Sequence, residues 1–202
     1  MKKIRVGIFG GAFDPPHNGH LFAAKAFFDT MQLDQLIIIP SFVPPHKVKS
    51  QAMPSDRFAM ARLAFSEIDN AQISSCEIDR GGISYTYLTL KEYCSDNVEL
   101  YLFVGTDMFL TLSEWDMAQD IFSCAEICLI RREALGENEA AVLNIKQLYE
   151  EKYGAKISII KSPVVEMSST QVRKMLAAAD DGVTEMLPPA VMDYIRERGL
   201  YI

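Results

Sequence analysis

The feature that most constrains this chain is an alternation of short apolar runs with stretches of helical periodicity. Residues 4–9 form an apolar run behind Lys2 and Lys3, and Gly10-Gly11 punctuates its end. Leu21, Ala24, Phe28 and Met31 then recur at helical spacing, and Leu36-Ile37-Ile38-Ile39 is a continuous apolar run stopped by Pro40. These segments predict strand, helix and strand, the unit that builds parallel sheets. A strand covered on both faces has no polar alternation, and the run at 36–39 has none.

The alternation continues to the end of the chain. The pattern predicts helices over 55–68 (with Ser55 as cap), 85–94, 137–153, 170–179 and 190–198, and strands over 73–78, 98–104, 127–130 and 156–160. Repeated strand–helix alternation implies an α/β fold: a Rossmann-like, doubly wound, mostly parallel sheet with helices on both faces. Such sheets bind ligands outside the carboxyl ends of their strands. At 202 residues the chain suits one domain, 1–202, with its helical end (about 168–202) packed on the sheet.

Charge and cysteine usage exclude several roles. A net charge of −7 argues against broad nucleic-acid binding, which needs a surplus of lysine and arginine. The apolar run at 6–9 is too short for a signal peptide, and no run approaches the ~20 apolar residues of a membrane span. Cys76, Cys94, Cys124 and Cys128 show no CxxC spacing. A cytoplasmic location is expected, with no membrane partner.

The turn after the first strand reads Gly10-Gly11-Ala12-Phe13-Asp14-Pro15-Pro16-His17-Asn18-Gly19-His20. Glycines admit positive φ and close approach of backbone to a phosphate, and Pro15-Pro16 stiffens the way into the helix. His17 and His20, three apart at a helix start, share one face beside free N–H groups that favour an anion. A metal pair completed by His46 is the rival reading, but no acidic or cysteine ligand is suitably spaced. The chain has three histidines, and two of them sit in this turn.

GGAFDPPHNGH resembles the GxFxPxHxGH signature of the nucleotidylyltransferase superfamily, whose members transfer AMP or CMP from a nucleoside triphosphate. The resemblance implies that His17 and His20 contact the triphosphate and stabilise charge as pyrophosphate leaves, with Gly10, Gly11, Phe13 and Gly19 shaping the ATP site. Met167-Ser168-Ser169-Thr170-Gln171-Val172-Arg173 resembles the superfamily's ISSTxxR motif, with Met167 in place of isoleucine. Hydroxyl residues cap helices, and arginine pairs with phosphate oxygens through a planar fork. Ser169, Thr170 and Arg173 are thereby implied to hold the β and γ phosphates.

Further segments narrow the resemblance to bacterial nicotinate-nucleotide adenylyltransferases. Residues 40–47, PSFVPPHK, are similar to that family's PxxxPPHK segment, which implies that Lys47, supported by His46, lies beside the mononucleotide phosphate. Ser84-Tyr85-Thr86 matches its SYT segment, placing the amides of Thr86 and Tyr87 at the nicotinate carboxylate. Leu88 stands where the family commonly has aspartate. Gly105-Thr106-Asp107 matches GxD, implying that Gly105 and Asp107 meet the ribose or adenine of ATP. Trp115 matches an aromatic that packs on the pyridine ring, and Arg132 is expected to face ATP.

The expected reaction is in-line attack of nicotinate mononucleotide on the α-phosphorus of ATP, giving deamido-NAD and pyrophosphate. Mg²⁺ is the expected cofactor, held by substrate phosphates and water, because the sequence offers no dense carboxylate cage. Nicotinamide mononucleotide or phosphopantetheine as acceptor are rival readings. The phosphopantetheine enzymes are shorter and resemble TxGH where this chain has HxGH. A nucleotide-binding regulator without catalysis is the rival from another class.

Overall fold

Strand β1 (Ile4–Gly11) forms where the apolar run was expected, and it is buried from Val6 through Phe9. Gly7 sits mid-strand because a Cβ there would strike the side chains of Leu33 and Phe27. In the computed structural model, residues 2–45, 50–130, 139–160 and 167–201 are described. Helix α1 (Asn18–Thr30) leads to β2 (Gln35–Pro40), α2 (Pro54–Ala64), β3 (Ala71–Ile73), α3 (Cys76–Arg80) and α4 (Thr86–Tyr93). Next come β4 (Val98–Gly105), α5 (Thr106–Leu110), α6 (Ala118–Cys124), β5 (Ala125–Ile130), α7 (Glu139–Tyr153) and β6 (Ile157–Ile160). Helices α8 (Ser169–Ala177) and α9 (Pro189–Arg198) close the chain.

The six strands form one all-parallel sheet in the order β3-β2-β1-β4-β5-β6, with Val6 opposite Leu100, Leu102 opposite Ile127 and Leu129 opposite Ile159. Successive strand residues point to opposite faces, and every residue of Leu36–Ile39 and of Leu100–Val104 is buried. Both faces are therefore covered, as a Rossmann-like α/β fold requires. The strand order reverses between β1 and β4, which makes the turn after β1 the place to look for a ligand.

The chain also divides into two compact units interleaved in sequence. One takes the chain up to Phe9, Ala26–Ile37 and everything from Tyr85 through β6; the other takes Gly10–Lys25, Ile38–Ser84 and the chain from α8 onward. In the first, Phe9 and Phe27 pack on Phe103, and Tyr149 donates its hydroxyl to the Phe109 carbonyl at 3.0 Å. In the second, α9 docks on α2: Tyr194 donates to Asp56 at 2.9 Å, and Arg198 lies 3.4 Å from the same carboxylate. Burial, then the Asp56 hydrogen bond, raises the Tyr194 phenol above its ordinary value.

Three local expectations need correction. The strand expected over 73–78 ends at Ile73, because Ser74 and Ser75 bond locally. Ser74 Oγ accepts the Cys76 N–H at 3.3 Å, Ser75 Oγ donates to Asp79 at 2.6 Å, and α3 follows. Helix α2 is capped by Met53 with Pro54 at its first position, so Ser55 lies inside the first turn. Proline suits that position, where its missing N–H would have no helical partner. Helices α5 and α6, between β4 and β5, were not expected, being too short for a period to show.

Candidate active site

The signature turn is held by its own buried side chains. Phe13, not a glycine, adopts the left-handed conformation, at φ 48°. This corrects the expectation for Gly10 and Gly11, which continue β1. Such a φ costs a non-glycine residue roughly 1–2 kcal/mol, offset here by burial of the ring. That ring meets His20 edge-on at 5.2 Å and Phe65 at 5.4 Å. A Cβ at Gly11 would stand 3.0 Å from the buried Phe13 ring, which would have to yield to admit it.

The two imidazoles are stacked, with ring centroids 3.7 Å apart. His17 is buried and His20 half-buried. The His17 backbone N–H donates to His20 Nδ1 at 3.2 Å. A nitrogen that accepts carries no proton, so neutral His20 holds its hydrogen on Nε2. Gly19 lets the rings in, because a Cβ there would stand 3.0 Å from His17 Nδ1 and 3.3 Å from Met167 Cβ.

The second motif arrives at the same turn. Ser168 caps α8 by accepting the Gln171 N–H at 3.1 Å. Ser169 donates to the Pro15 carbonyl at 2.9 Å. Arg173 donates to the Asp14 carbonyl at 2.6 Å and to Thr170 Oγ1 at 3.2 Å. The N-termini of α1 and α8 are thus tied to one turn, although their motifs lie some 150 residues apart. Two helix starts, a guanidinium and an Nε2–H give this turn a surface rich in hydrogen-bond donors, the chemistry that suits an anion.

In the other unit, Gly105 precedes α5, and Asp107 is exposed in that helix's first turn. Thr86 and Tyr87 open α4, so their amides belong to the first turn, which a helix leaves without internal partners. Lys91 stands over the Tyr87 ring at 5.5 Å. Trp115 is half-buried with its indole nitrogen inside. His46, Lys47 and Arg132 lie outside the described residues.

A family model described as Cytidylyltransferase-like matches residues 8–175. A Neisseria meningitidis protein (serogroup C, strain FAM18) called "Probable nicotinate-nucleotide adenylyltransferase" is 35% identical over 203 aligned positions, covering 100% of this chain and 99% of its own. A Caldicellulosiruptor bescii protein of the same description is 32% identical, covering 98% and 99%. This chain belongs to the nicotinate-nucleotide adenylyltransferase family. The fold agrees: the Plasmodium falciparum nicotinic acid mononucleotide adenylyltransferase complexed with APC superposes with TM-score 0.77 at 18% identity, covering 98% of this chain and 97% of that one.

Within this adenylyltransferase fold, three residues that shape the turn escaped the sequence reading. Asp14 is buried and accepts the Gln51 N–H at 2.9 Å, the Ala52 N–H at 3.0 Å and the Tyr201 hydroxyl at 2.8 Å, with Arg173 at 3.8 Å. Arg57 is wholly buried, donating to the Ala12 carbonyl at 2.6 Å and the Phe42 carbonyl at 3.1 Å. Burial lowers its pKa, and the negative charge of Asp14 opposes that shift. Tyr201, the next-to-last residue in the numbering, has its phenol pushed up by burial and then by Asp14. Asp14 lay within the quoted motif, whereas nothing local marks Arg57 or Tyr201.

The donor set fits an anion rather than a bare metal ion. Among the described residues, no three His, Cys, Asp or Glu side chains group as metal ligands. The Asp14 carboxylate is already engaged by three donors and Arg173. Among the described residues, no helix is long and apolar enough to cross a membrane.

Proposed function

We infer that this chain transfers AMP from ATP to nicotinate mononucleotide, giving deamido-NAD and pyrophosphate. The observation that carries the reading is the joining of the histidine turn and the α8 start by the Ser169–Pro15 and Arg173–Asp14 hydrogen bonds. Family membership supports it, as does a Plasmodium falciparum neighbour described as complexed with NaAD.

The acceptor phosphate is ionised near neutral pH, so it needs no general base. Catalysis then rests on positioning and on donors aimed at developing negative charge. His20 offers Nε2–H to the departing pyrophosphate, and His17 orients it through the ring stack and the backbone bond. Arg173 and the first amides of α8 take the outer phosphates, with Ser169 and Thr170 beside them. In this role Arg173 and Ser169 exchange part of their present bonding to Asp14 and Pro15 for phosphate oxygens. Gly10, Gly11, Phe13, Gly19, Gly105, Asp107 and Arg132 are the residues assigned to ATP by the family's motifs. His46, Lys47, Thr86, Tyr87 and Trp115 are the residues the family's motifs assign to the mononucleotide. Mg²⁺ would accompany ATP and would supply neutralisation of its phosphate charge, with no carboxylate of the described residues grouped to hold it. The enzyme works in the cytoplasm.

The test is pyrophosphate release from ATP with nicotinate mononucleotide, nicotinamide mononucleotide or phosphopantetheine, with the product identified by mass. The highest kcat/KM is expected with the nicotinate acceptor. Release with neither mononucleotide would remove this reading.

A further inference from the structure

Cys94 follows α4 directly, and Cys124 is the last residue of α6. Their sulfur atoms lie 3.6 Å apart. These helices pack on each other, and Lys91 of α4 reaches Asp120 of α6 at 3.5 Å. A disulfide has sulfurs about 2.05 Å apart, so closure needs only roughly 1.5 Å of approach, within reach of side-chain rotation. The sequence gives no hint of this pair, because the two cysteines are 30 positions apart and in no recognised spacing.

We propose that Cys94 and Cys124 are a thiol-modification site, which a low-molecular-weight disulfide converts reversibly to an intramolecular disulfide. Cys94 is exposed and Cys124 half-buried, which sets the order of events. The Cys94 thiolate attacks one sulfur of the small disulfide, forming a mixed disulfide and releasing one small thiolate. Cys124 then gives up its proton and attacks Cys94 Sγ, releasing the second small thiolate. Two protein thiols lose two electrons in all, and one small disulfide becomes two thiols.

Burial, followed by the hydrogen bond and charge of Cys94, pushes the Cys124 thiol up to about 11. That suits a resolving thiol rather than a first attacker. Cys128 is buried in β5, where burial raises its thiol further, so it stays reduced. The bridge would close a loop of about 30 residues and restrain α4, the helix that opens with Thr86 and Tyr87.

The experiment treats the whole protein with glutathione disulfide, alkylates it in denaturant and counts thiols by mass spectrometry. Two of the four cysteines are expected to escape alkylation, with the Cys94 and Cys124 peptides linked and dithiothreitol restoring all four. The oxidised protein is expected to melt a few degrees higher than the reduced one. Cys94→Ser and Cys124→Ser should each abolish both the link and the shift, whereas Cys76→Ser keeps them. Four alkylated cysteines, glutathione left standing on Cys94, or a link to another cysteine would each overturn the proposal.

Discussion

At the scale of single residues, the site is a matter of which atoms may donate. His20 receives a backbone N–H at Nδ1, which puts the ring proton of its neutral form on Nε2. Replacing His20 by alanine should lower kcat roughly 10²–10³-fold, the scale for losing one preorganised donor, as read from steady-state pyrophosphate release. A near-normal rate in a folded variant would take His20 out of the chemistry. Gly19→Ala separates helix propensity from site geometry. Alanine is favoured in a helix by about 0.5–1 kcal/mol, yet its Cβ would crowd His17, which is buried and stacked and has little room to yield. The variant should lose turnover while its denaturation midpoint changes little. Lys47→Ala should mainly raise the KM for the mononucleotide and leave that for ATP nearly unchanged. The opposite pattern would show that the acceptor loop has been misassigned.

At the scale of elements, the start of α8 does two jobs with adjacent hydroxyls. Ser168 caps the helix, while Ser169 ties it to Pro15. Ser168→Ala should therefore cost about 1 kcal/mol of stability, measurable by urea denaturation, while a Ser169 substitution should act on the turn. The long strands and helices were legible because burial on both faces, or on one helical stripe, leaves a period in the residues. The helix expected over 170–179 appears as Ser169–Ala177, within a residue or two of its reading. Helices α3, α5 and α6 were hidden because five to seven residues scarcely complete a period. Their ends are set by local hydrogen bonds, such as Thr111 Oγ1 donating to the Asp107 carbonyl at 3.3 Å.

At the scale of the whole molecule, folding raises the pKa of Tyr101 to about 12 and moves Tyr194 and Tyr201 upward too, burial being the largest cause in each. A phenol protonated in the fold and free to ionise when unfolded, near its ordinary value of about 10, stabilises the fold fully below that pH. The contribution is lost as pH climbs from there towards the folded value. Melting temperature should hold steady to about pH 10 and then fall. Tyr201→Phe should make that fall shallower, since one of the three phenols is gone; an unchanged slope would show that Tyr201 does not drive the loss.

The strand-and-helix alternation, and the residue types of the histidine turn and of the hydroxyl–arginine motif, are legible in the chain alone. Each of these is written in neighbouring residues, where a period or a spacing is visible. It took folding in three dimensions to show that Asp14 gathers Gln51, Ala52, Arg173 and Tyr201, that Arg57 is buried against the turn, and that Phe13 takes the left-handed bend. Those outcomes depend on which distant groups arrive at one buried carboxylate and satisfy it. Long-range hydrogen bonding of that kind leaves no period in the chain.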